Sequence, residues 1–305
     1  KTDRYIGNKW GGKYLRAPDI FFTILEKGKG KLVRLGDIAE VRFGIKTGAN
    51  EFFYLKPTGT SAPKGYLHVR NGTGWEGEIE EEFLKPVIFS LKELTCIKDD
   101  LSNLKHRLFS CHYAKKDIRG AKALEYITWG EQQGFHLRPT CASRATWYSV
   151  GKDWKPAPFI FPAKVGERML VLDNTLHALE DKKLYGITPF TGPRDIWGGM
   201  LNCTLTRFFM DLTCRQLTGA QAIADIDVVV VENILVVPPE LLDTKVFREC
   251  YEGLARRPIQ AHVEQEYAQP DRRALDEVVF DVLGLTTGER EAVYEAVVEL
   301  VRARL

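Results

Sequence analysis

The sequence has 305 residues, of which 44% are hydrophobic and 28% are charged, and its formal net charge is +2. This length and composition predict a globular protein with one large core or two smaller ones. No apolar run approaches the roughly 18–20 residues that cross a membrane, and the first residues lack a signal-peptide core, so a cytoplasmic location is expected.

Charge is unevenly distributed along the chain. Residues 1–35 contain nine Lys or Arg and three acids, and a second basic excess lies within residues 98–125. Acids concentrate in residues 76–82 and towards the C-terminus. A protein that faces phosphate on one side shows this polarity. Ordinary solvated faces remain the alternative interpretation.

The apolar spacing predicts mostly short strands and long loops between a short N-terminal helix and a helical C-terminal part. We expect strands at residues 39–43, 51–55, 159–162, 169–172 and 228–237, and helices at 115–129 and 199–212. Strands and helices do not alternate regularly. The predicted fold class is therefore α+β, a mixed or antiparallel β-rich domain with inserted helices and a C-terminal helical bundle.

The C-terminal part has helical spacing of apolar residues at 240–256, at 273–283 and after Thr286. Gly284 is expected to cap the second of these helices, and Thr286 with Glu289 forms a capping-box pattern before the third. We expect the three helices to pack on one another. Because the last two are rich in acids, they are expected to lie away from phosphate.

Residues 32–55 carry the most informative pattern, LVRLGDIAEVRFGIKTGANEFFYL. Two apolar stretches flank a loop with Gly44, Lys46, Thr47, Gly48 and Asn50, which predicts two paired strands with a polar tip. Such a tip is suited to recognition contacts, but a hairpin without that role has the same pattern.

Residues 35–53 also match the pattern L-G-D-I-A-x-V-x-x-G-I-x-T-G-x-N-x-x-F. That pattern opens the target-recognition domain of TaqI-like and Eco57I-like N6-adenine DNA methyltransferases, which this chain resembles. More distant relatives are the specificity subunits of type I restriction systems. Further matching pieces follow in order at residues 83–88, 92–94, 144–148, 181–187, 201–205 and 231–239.

The resemblance implies that the chain is the specificity half of such an enzyme. The family's catalytic half carries a glycine-containing cofactor loop and an Asn/Asp-Pro-Pro-Tyr/Phe motif; neither is present, and Pro238-Pro239 is flanked by Val237 and Glu240. No catalytic residue is therefore expected, and S-adenosylmethionine is expected to bind a catalytic domain elsewhere in the protein. The absence of an initial methionine also suggests a fragment of a longer protein.

The implied domains are a linker and helix from the catalytic half at residues 1–31, a recognition domain at 32–239 and a helical segment at 240–305. The implied partners are double-stranded DNA and the catalytic domain in cis, with no membrane. The six cysteines have no C-x-x-C spacing, so no metal site is expected.

Basic and amide side chains in loops are the groups that contact phosphates and base edges. The candidate DNA-binding residues are Lys46, Thr47, Asn50, Arg144, Lys164, Arg168, Arg194, Arg215 and Gln221. Asn50 has an equally good interpretation as a residue that holds its own loop through a hydrogen bond to the backbone. Two other functions stay open, a stand-alone nuclease and a protein-interaction module of a restriction-modification system.

Overall fold

The computed structural model describes residues 17–217 and 222–305. The α-helices are α1 (Asp19–Lys27), α2 (Leu35–Ile38), α3 (Asn50–Phe53), α4 (Lys122–Gln132), α5 (Pro139–Ala142), α6 (Arg194–Asn202), α7 (Thr204–Thr213), α8 (Val228–Glu232), α9 (Pro239–Leu242), α10 (Lys245–Arg256), α11 (Val263–Tyr267), α12 (Pro270–Leu283) and α13 (Thr287–Arg302).

The strands are β1 (Val33–Arg34), β2 (Ala39–Phe43), β3 (Tyr54–Pro57), β4 (Tyr66–Arg70), β5 (Glu76–Glu80), β6 (Leu84–Ile88), β7 (His106–Phe109), β8 (Phe159–Pro162), β9 (Lys164–Val165), β10 (Leu172–Asp173), β11 (Leu179–Glu180), β12 (Leu184–Pro189), β13 (Arg215–Leu217), β14 (Ile223–Asp225) and β15 (Leu235–Val236). Helices and strands are not regularly interleaved, which confirms the predicted α+β class.

The larger hydrophobic core lies between a four-stranded antiparallel sheet and the helices around it. The sheet has the order β10-β8-β12-β2, with Ile187 of β12 opposite Val41 on one side and Phe159 on the other. Helices α1, α6, α7, α10, α12 and α13 contribute buried side chains to the same core. The C-terminal helices therefore share a core with residues 159–237 and do not form a separate bundle.

The smaller core belongs to a six-stranded sheet with the order β11-β6-β7-β3-β4-β5. Only the β11–β6 pair of this sheet is parallel. Phe52 of α3 stacks on Tyr126 of α4, with 4.4 Å between ring centroids, and Trp147 packs beside it. Aromatic packing thus joins α3 and α4 to this sheet.

The predicted pairing across residues 32–55 is wrong. Strand β2 pairs with β12, whereas β3 pairs with β4 and β7, so the two flanks of the 44–49 loop enter different sheets. The predicted strand at 51–55 begins as helix α3 because Phe52 and Phe53 both donate backbone hydrogen bonds to Ala49. The 44–49 loop consequently connects the two cores.

The predicted strand at 228–237 is also wrong for its first half. Asp227 caps helix α8, since its carboxylate accepts a 2.8 Å hydrogen bond from the backbone N–H of Val230. The helix forms although four consecutive valines favour a strand, and its Val231 is buried in the larger core. Only Leu235–Val236 is extended, as β15.

Two predicted helices are each interrupted. Residues 115–129 divide into a 3₁₀ turn at Lys115–Ile118 and helix α4, separated at Gly120, whose φ is 84°. Residues 199–212 lie in α6 and α7, which Cys203 separates with an extended backbone. Of the predicted strand at 169–172, only Leu172 is in a strand.

The predicted helix ends near the C-terminus are confirmed. Gly284 caps α12 with a φ of 70°, and Thr286 and Glu289 form both hydrogen bonds of a capping box at the start of α13. Helix α10 packs on α6 and α12, and α13 packs chiefly on α7. Among the helices of residues 17–217 and 222–305, none is long and apolar enough to cross a membrane.

Candidate nucleic-acid interface

The 44–49 loop is fixed at its first residues by the neighbouring chain segment. Gly44 donates a 3.0 Å backbone hydrogen bond to Leu184, and Ile45 donates one of 2.7 Å to Glu180. A Cβ on Gly44 would collide with the carbonyl oxygen of Asp181, so this close approach requires glycine.

The second half of the loop closes on itself. Thr47 is only 1% exposed, and its hydroxyl donates to Oδ1 of Asn50 and accepts a 3.3 Å bond from the N–H of Ala49. Gly48 has a φ of 84°, and a Cβ there would lie 2.5 Å from Cβ of Thr140. Both predicted contact residues Thr47 and Asn50 are therefore engaged in shaping the loop. Asn50 does so through the hydroxyl of a side chain rather than through the backbone.

The side chain of Arg144 supports the 44–49 loop through hydrogen bonds to its backbone. One guanidinium nitrogen, Nη2, donates to the carbonyl oxygens of Lys46 at 2.8 Å and Thr47 at 2.7 Å. The other, Nη1, donates to the carbonyl oxygen of Trp147 at 3.3 Å. In the structure Arg144 thus holds the backbone beside Lys46, and its predicted direct contact with DNA stays a prediction.

Lys46 is the basic side chain that this arrangement presents to solvent. It is exposed and forms no ion pair or side-chain hydrogen bond with another described residue. Glu51, the nearest acid along the chain, is paired with Arg138 at 2.8 Å, and this hydrogen bond lowers the pKa of Glu51. The structure therefore brings Thr47, Asn50 and Arg144 together around the backbone that carries Lys46.

Two buried acids lie behind the loop. Asp181 accepts a 2.6 Å hydrogen bond from the hydroxyl of Tyr54, and burial, followed by this carboxylate, raises the pKa of Tyr54. Glu180 is fully buried, and burial raises its pKa although Trp154 and Arg42 both contact its Oε1 atom. These carboxylates lie inside the protein and add little negative charge to its surface.

A second group of predicted residues surrounds the three-stranded sheet β13-β14-β9. Lys164 of β9 and Arg215 of β13 both lie opposite Asp225 of β14, on either side of it. Both are exposed. Cross-strand partners point to the same face of a sheet, so this face carries two cations beside one acid.

The turn that follows Lys164 is held by buried arginines. Arg207 donates to the carbonyl oxygens of Gly166 at 3.1 Å and Glu167 at 3.2 Å, and Arg304 donates to Gly166 at 3.0 Å. Asp211 balances both arginines, with ion-pair distances of 2.5 and 2.6 Å. Arg207 of α7 and Arg304, two residues beyond the end of α13, thereby hold the turn next to a candidate DNA contact.

The remaining predicted residues have other surroundings. Arg168 donates to the carbonyl oxygens of Leu94 at 2.7 Å and Leu91 at 3.0 Å, and burial lowers its pKa. Arg194 forms a 2.5 Å ion pair with buried Asp173. Gln221 lies outside the described residues. Arg168 and Arg194 are thus occupied within the protein, and their contact with DNA stays a prediction.

The sequence interpretation missed residues 151–155, which lie beside the 44–49 loop and carry Lys152 and Lys155. Arg42, at the end of β2, stacks on Trp154 with 4.6 Å to the ring centroid. The available signal was the segment GKDWKP, a glycine turn with two lysines around a tryptophan.

No group of three or more His, Cys, Asp or Glu residues within 17–217 and 222–305 has an arrangement that could hold a metal ion. The six cysteines are free thiols.

The fold defines the class of protein to which the chain is similar. The type IIG restriction endonuclease BpuSI matches with a TM-score of 0.58 and 10% sequence identity, over 93% of this chain and 33% of that one. The type IIL restriction-modification enzyme MmeI matches with a TM-score of 0.54 and 12% identity, over 88% of this chain and 36% of that one. The chain thus spans about a third of each enzyme.

A comparison of the sequence with profiles of protein families identifies the family. The profile described as "Type II methyltransferase M.Eco57I, C-terminal domain" matches residues 7–220, and the chain belongs to this family. No curated protein sequence matches the chain significantly.

Proposed function

We propose that the chain recognises specific double-stranded DNA sequences on behalf of an N6-adenine methyltransferase of a restriction-modification system. The observation that carries this proposal is the exposed Lys46 on a loop that Arg144, Gly44 and Gly48 hold in place, in a chain of the M.Eco57I C-terminal family. The relative MmeI was solved in complex with DNA, which is consistent with a DNA partner here.

Backbone hydrogen bonds connect the loop that carries Lys46 with the sheet that carries Lys164 and Arg215. Lys182 donates to the carbonyl oxygen of Ile45 at 3.1 Å, and the next residue, Lys183, accepts from the N–H of Ala163 at 3.4 Å. Ala163 precedes Lys164, which pairs through β14 with Arg215. This continuity supports one extended interface over two unrelated patches.

The proposed roles differ among the candidate residues. Lys46, Lys164, Arg215 and Gln221 contact phosphates or base edges, where lysine suits phosphate and arginine or glutamine can read bases. Thr47, Asn50, Arg144, Arg168 and Arg194 hold the backbone or neighbouring side chains in place, and their direct contact with DNA stays a prediction. Residues 32–239 carry the recognition surface, and residues 240–305 brace it.

Catalysis belongs to another domain in this proposal. Residues 1–31 lead to a methyltransferase domain, which binds S-adenosylmethionine and takes the adenine out of the duplex. The chain described here therefore transfers no methyl group by itself. Incubation with duplex DNA and tritium-labelled S-adenosylmethionine, in a preparation free of host methylases, should give background incorporation only.

Selection from a pool of duplexes with a randomised centre tests DNA recognition directly. The chain should enrich one sequence motif over successive rounds and bind it more tightly than a scrambled duplex of the same composition. Equal binding to all duplexes, or binding to none, would contradict sequence recognition. Cleavage of the DNA with added Mg²⁺ would instead favour a nuclease.

A further inference from the structure

Residues 151–155 form a second loop, which packs against the 44–49 loop. Gly151 adopts a φ of 73°, and a Cβ at this position would lie 3.2 Å from Cδ1 of Ile45. The backbone N–H of Trp154 donates a 3.2 Å hydrogen bond to Gly151, which closes the loop on itself. The 151–155 loop is thus a compact neighbour of the segment that presents Lys46.

Trp154 anchors this loop to the interior. Its indole Nε1 donates a 3.0 Å hydrogen bond to Oε1 of Glu180, a side chain that is completely buried. The guanidinium of Arg42 stacks over the face of the indole ring and also donates to the carbonyl oxygen of Lys155. Because Glu180 also accepts the backbone N–H of Ile45 through its carbonyl oxygen, one residue positions both loops.

The loop presents positive charge to solvent. Lys152 and Lys155 are exposed, and neither forms an ion pair with any residue in the described part of the chain. The exposed acid Asp153 lies between the two lysines; burial and then the charges of Lys152 and Lys85 lower the pKa of His112, and Asp153 opposes this shift. The opposite edge of the six-stranded sheet, at β5, contains Glu76, Glu78 and Glu80 and is acidic.

We propose that the 151–155 loop is a second phosphate-contacting element, in which Lys152 and Lys155 bind the DNA backbone next to the contact made by Lys46. This inference rests on the proposed DNA-recognition function. Glu180 and Trp154 are positioning residues that set the spacing of the two loops. Because hydrogen bonds already hold the backbone of the loop, the loop itself needs little ordering on binding, which favours affinity.

The test is the salt dependence of duplex binding by the double variant Lys152→Ala/Lys155→Ala. Each lost phosphate contact should make the negative slope of log affinity against log salt less steep by about 0.9, so the slope of the double variant should be less steep by about 1.8. The matched control is Lys56→Ala/Lys64→Ala. Both lysines are exposed; Lys56 lies in β3 and Lys64 lies just before β4, on the part of the sheet towards the acidic edge at β5. The control should keep the slope of the unaltered chain.

The outcomes separate this inference from the function on which it rests. A less steep salt dependence in Lys152→Ala/Lys155→Ala, together with an unchanged slope in Lys56→Ala/Lys64→Ala, supports the second contact. If the slope of Lys152→Ala/Lys155→Ala is unchanged while Lys46→Ala still weakens binding, the proposed phosphate contact of the 151–155 loop is overturned and DNA recognition is left intact. Equal losses in both double variants also overturn it. If the unaltered chain binds no duplex, both proposals are contradicted.

Discussion

The guanidinium of Arg144 donates a 2.7 Å hydrogen bond to the carbonyl oxygen of Thr47, 97 positions earlier in the sequence. The same nitrogen donates to the carbonyl oxygen of Lys46, so one side chain fixes two successive peptide groups of the 44–49 loop. The orientation of the exposed Lys46 side chain depends on this support.

The variant Arg144→Ala should lower both stability and DNA affinity. Hydrogen bonds from a charged donor contribute about 1.5–3 kcal/mol, so we expect a loss in the free energy of unfolding within this range. Denaturant unfolding measures that loss. Lys46→Ala is the matched control, because its exposed side chain has no described partner, and it should leave stability unchanged while weakening DNA binding. An Arg144→Ala protein of unaltered stability would contradict the supporting role.

Substitution of Gly48 should distort the same loop for a different reason. Its φ of 84° disfavours any L side chain, and an added methyl would meet Thr140. We expect Gly48→Ala to cost about 1–3 kcal/mol, the range for a residue forced into a sparsely populated conformation. Gly59→Ala is a useful control, since Gly59 also has positive φ (80°) but no atom within 4 Å of an added Cβ. A smaller loss at Gly48 than at Gly59 would contradict the close packing on Thr140.

The buried pair of arginines around Asp211 predicts a large effect on stability. Asp211 is fully buried and accepts from Arg207 and Arg304, and Arg304 is 1% exposed. Asp211→Asn leaves two buried cations without their counter-charge, which should cost about 3–5 kcal/mol. Thermal unfolding should show a clearly lower midpoint, whereas Asp153→Asn, at an exposed acid, should change it little. A near-normal midpoint for Asp211→Asn would show that water or another group compensates these charges.

Glu180 should make stability fall as pH rises. Burial raises its pKa in the folded protein, so the folded state holds this proton more tightly than the unfolded state. The stabilisation is therefore fully present below the ordinary carboxyl pKa and is lost as pH rises through the raised value. Glu180→Gln removes the titrating group while its amide oxygen can still accept from Trp154.

The measurement is the free energy of unfolding of both proteins at several pH values. The stability of Glu180→Gln relative to the unaltered chain should increase from acid to neutral pH. A difference that stays constant across this range, or one that decreases, would contradict a raised pKa for Glu180.

Local chemistry explains which parts of the fold were predictable. The caps at Gly284 and Thr286 depend on residues three or four positions apart, so the sequence alone indicates them. The pairing of β2 with β12 joins residues more than 140 positions apart, and no local pattern distinguishes it from a hairpin. At residues 228–232, a β-branched run that favours a strand forms a helix that Asp227 caps and whose Val231 packs in the larger core, and core packing is not visible in the local sequence.

The sequence indicated the loop at residues 44–49, but not the contacts that its side chains make. The glycines and Lys46 indicate a polar loop, and in the structure Lys46 is exposed whereas Gly44, Ile45, Thr47 and Ala49 are buried. The sequence could not show that Thr47 points inward or that Arg144 turns to the backbone, because both arise from packing against residues distant in the chain. Trp154 and its bond to Glu180 were missed for the same reason.

The most direct test of the account is the affinity of Lys46→Ala for the duplex selected by the unaltered chain, measured by fluorescence anisotropy across a series of salt concentrations. The account predicts weaker binding and a negative slope of log affinity against log salt that is less steep by about 0.9. The affinity and slope of Lys64→Ala should be unchanged. Unaltered affinity and slope in a folded Lys46→Ala protein would contradict DNA recognition through the 44–49 loop.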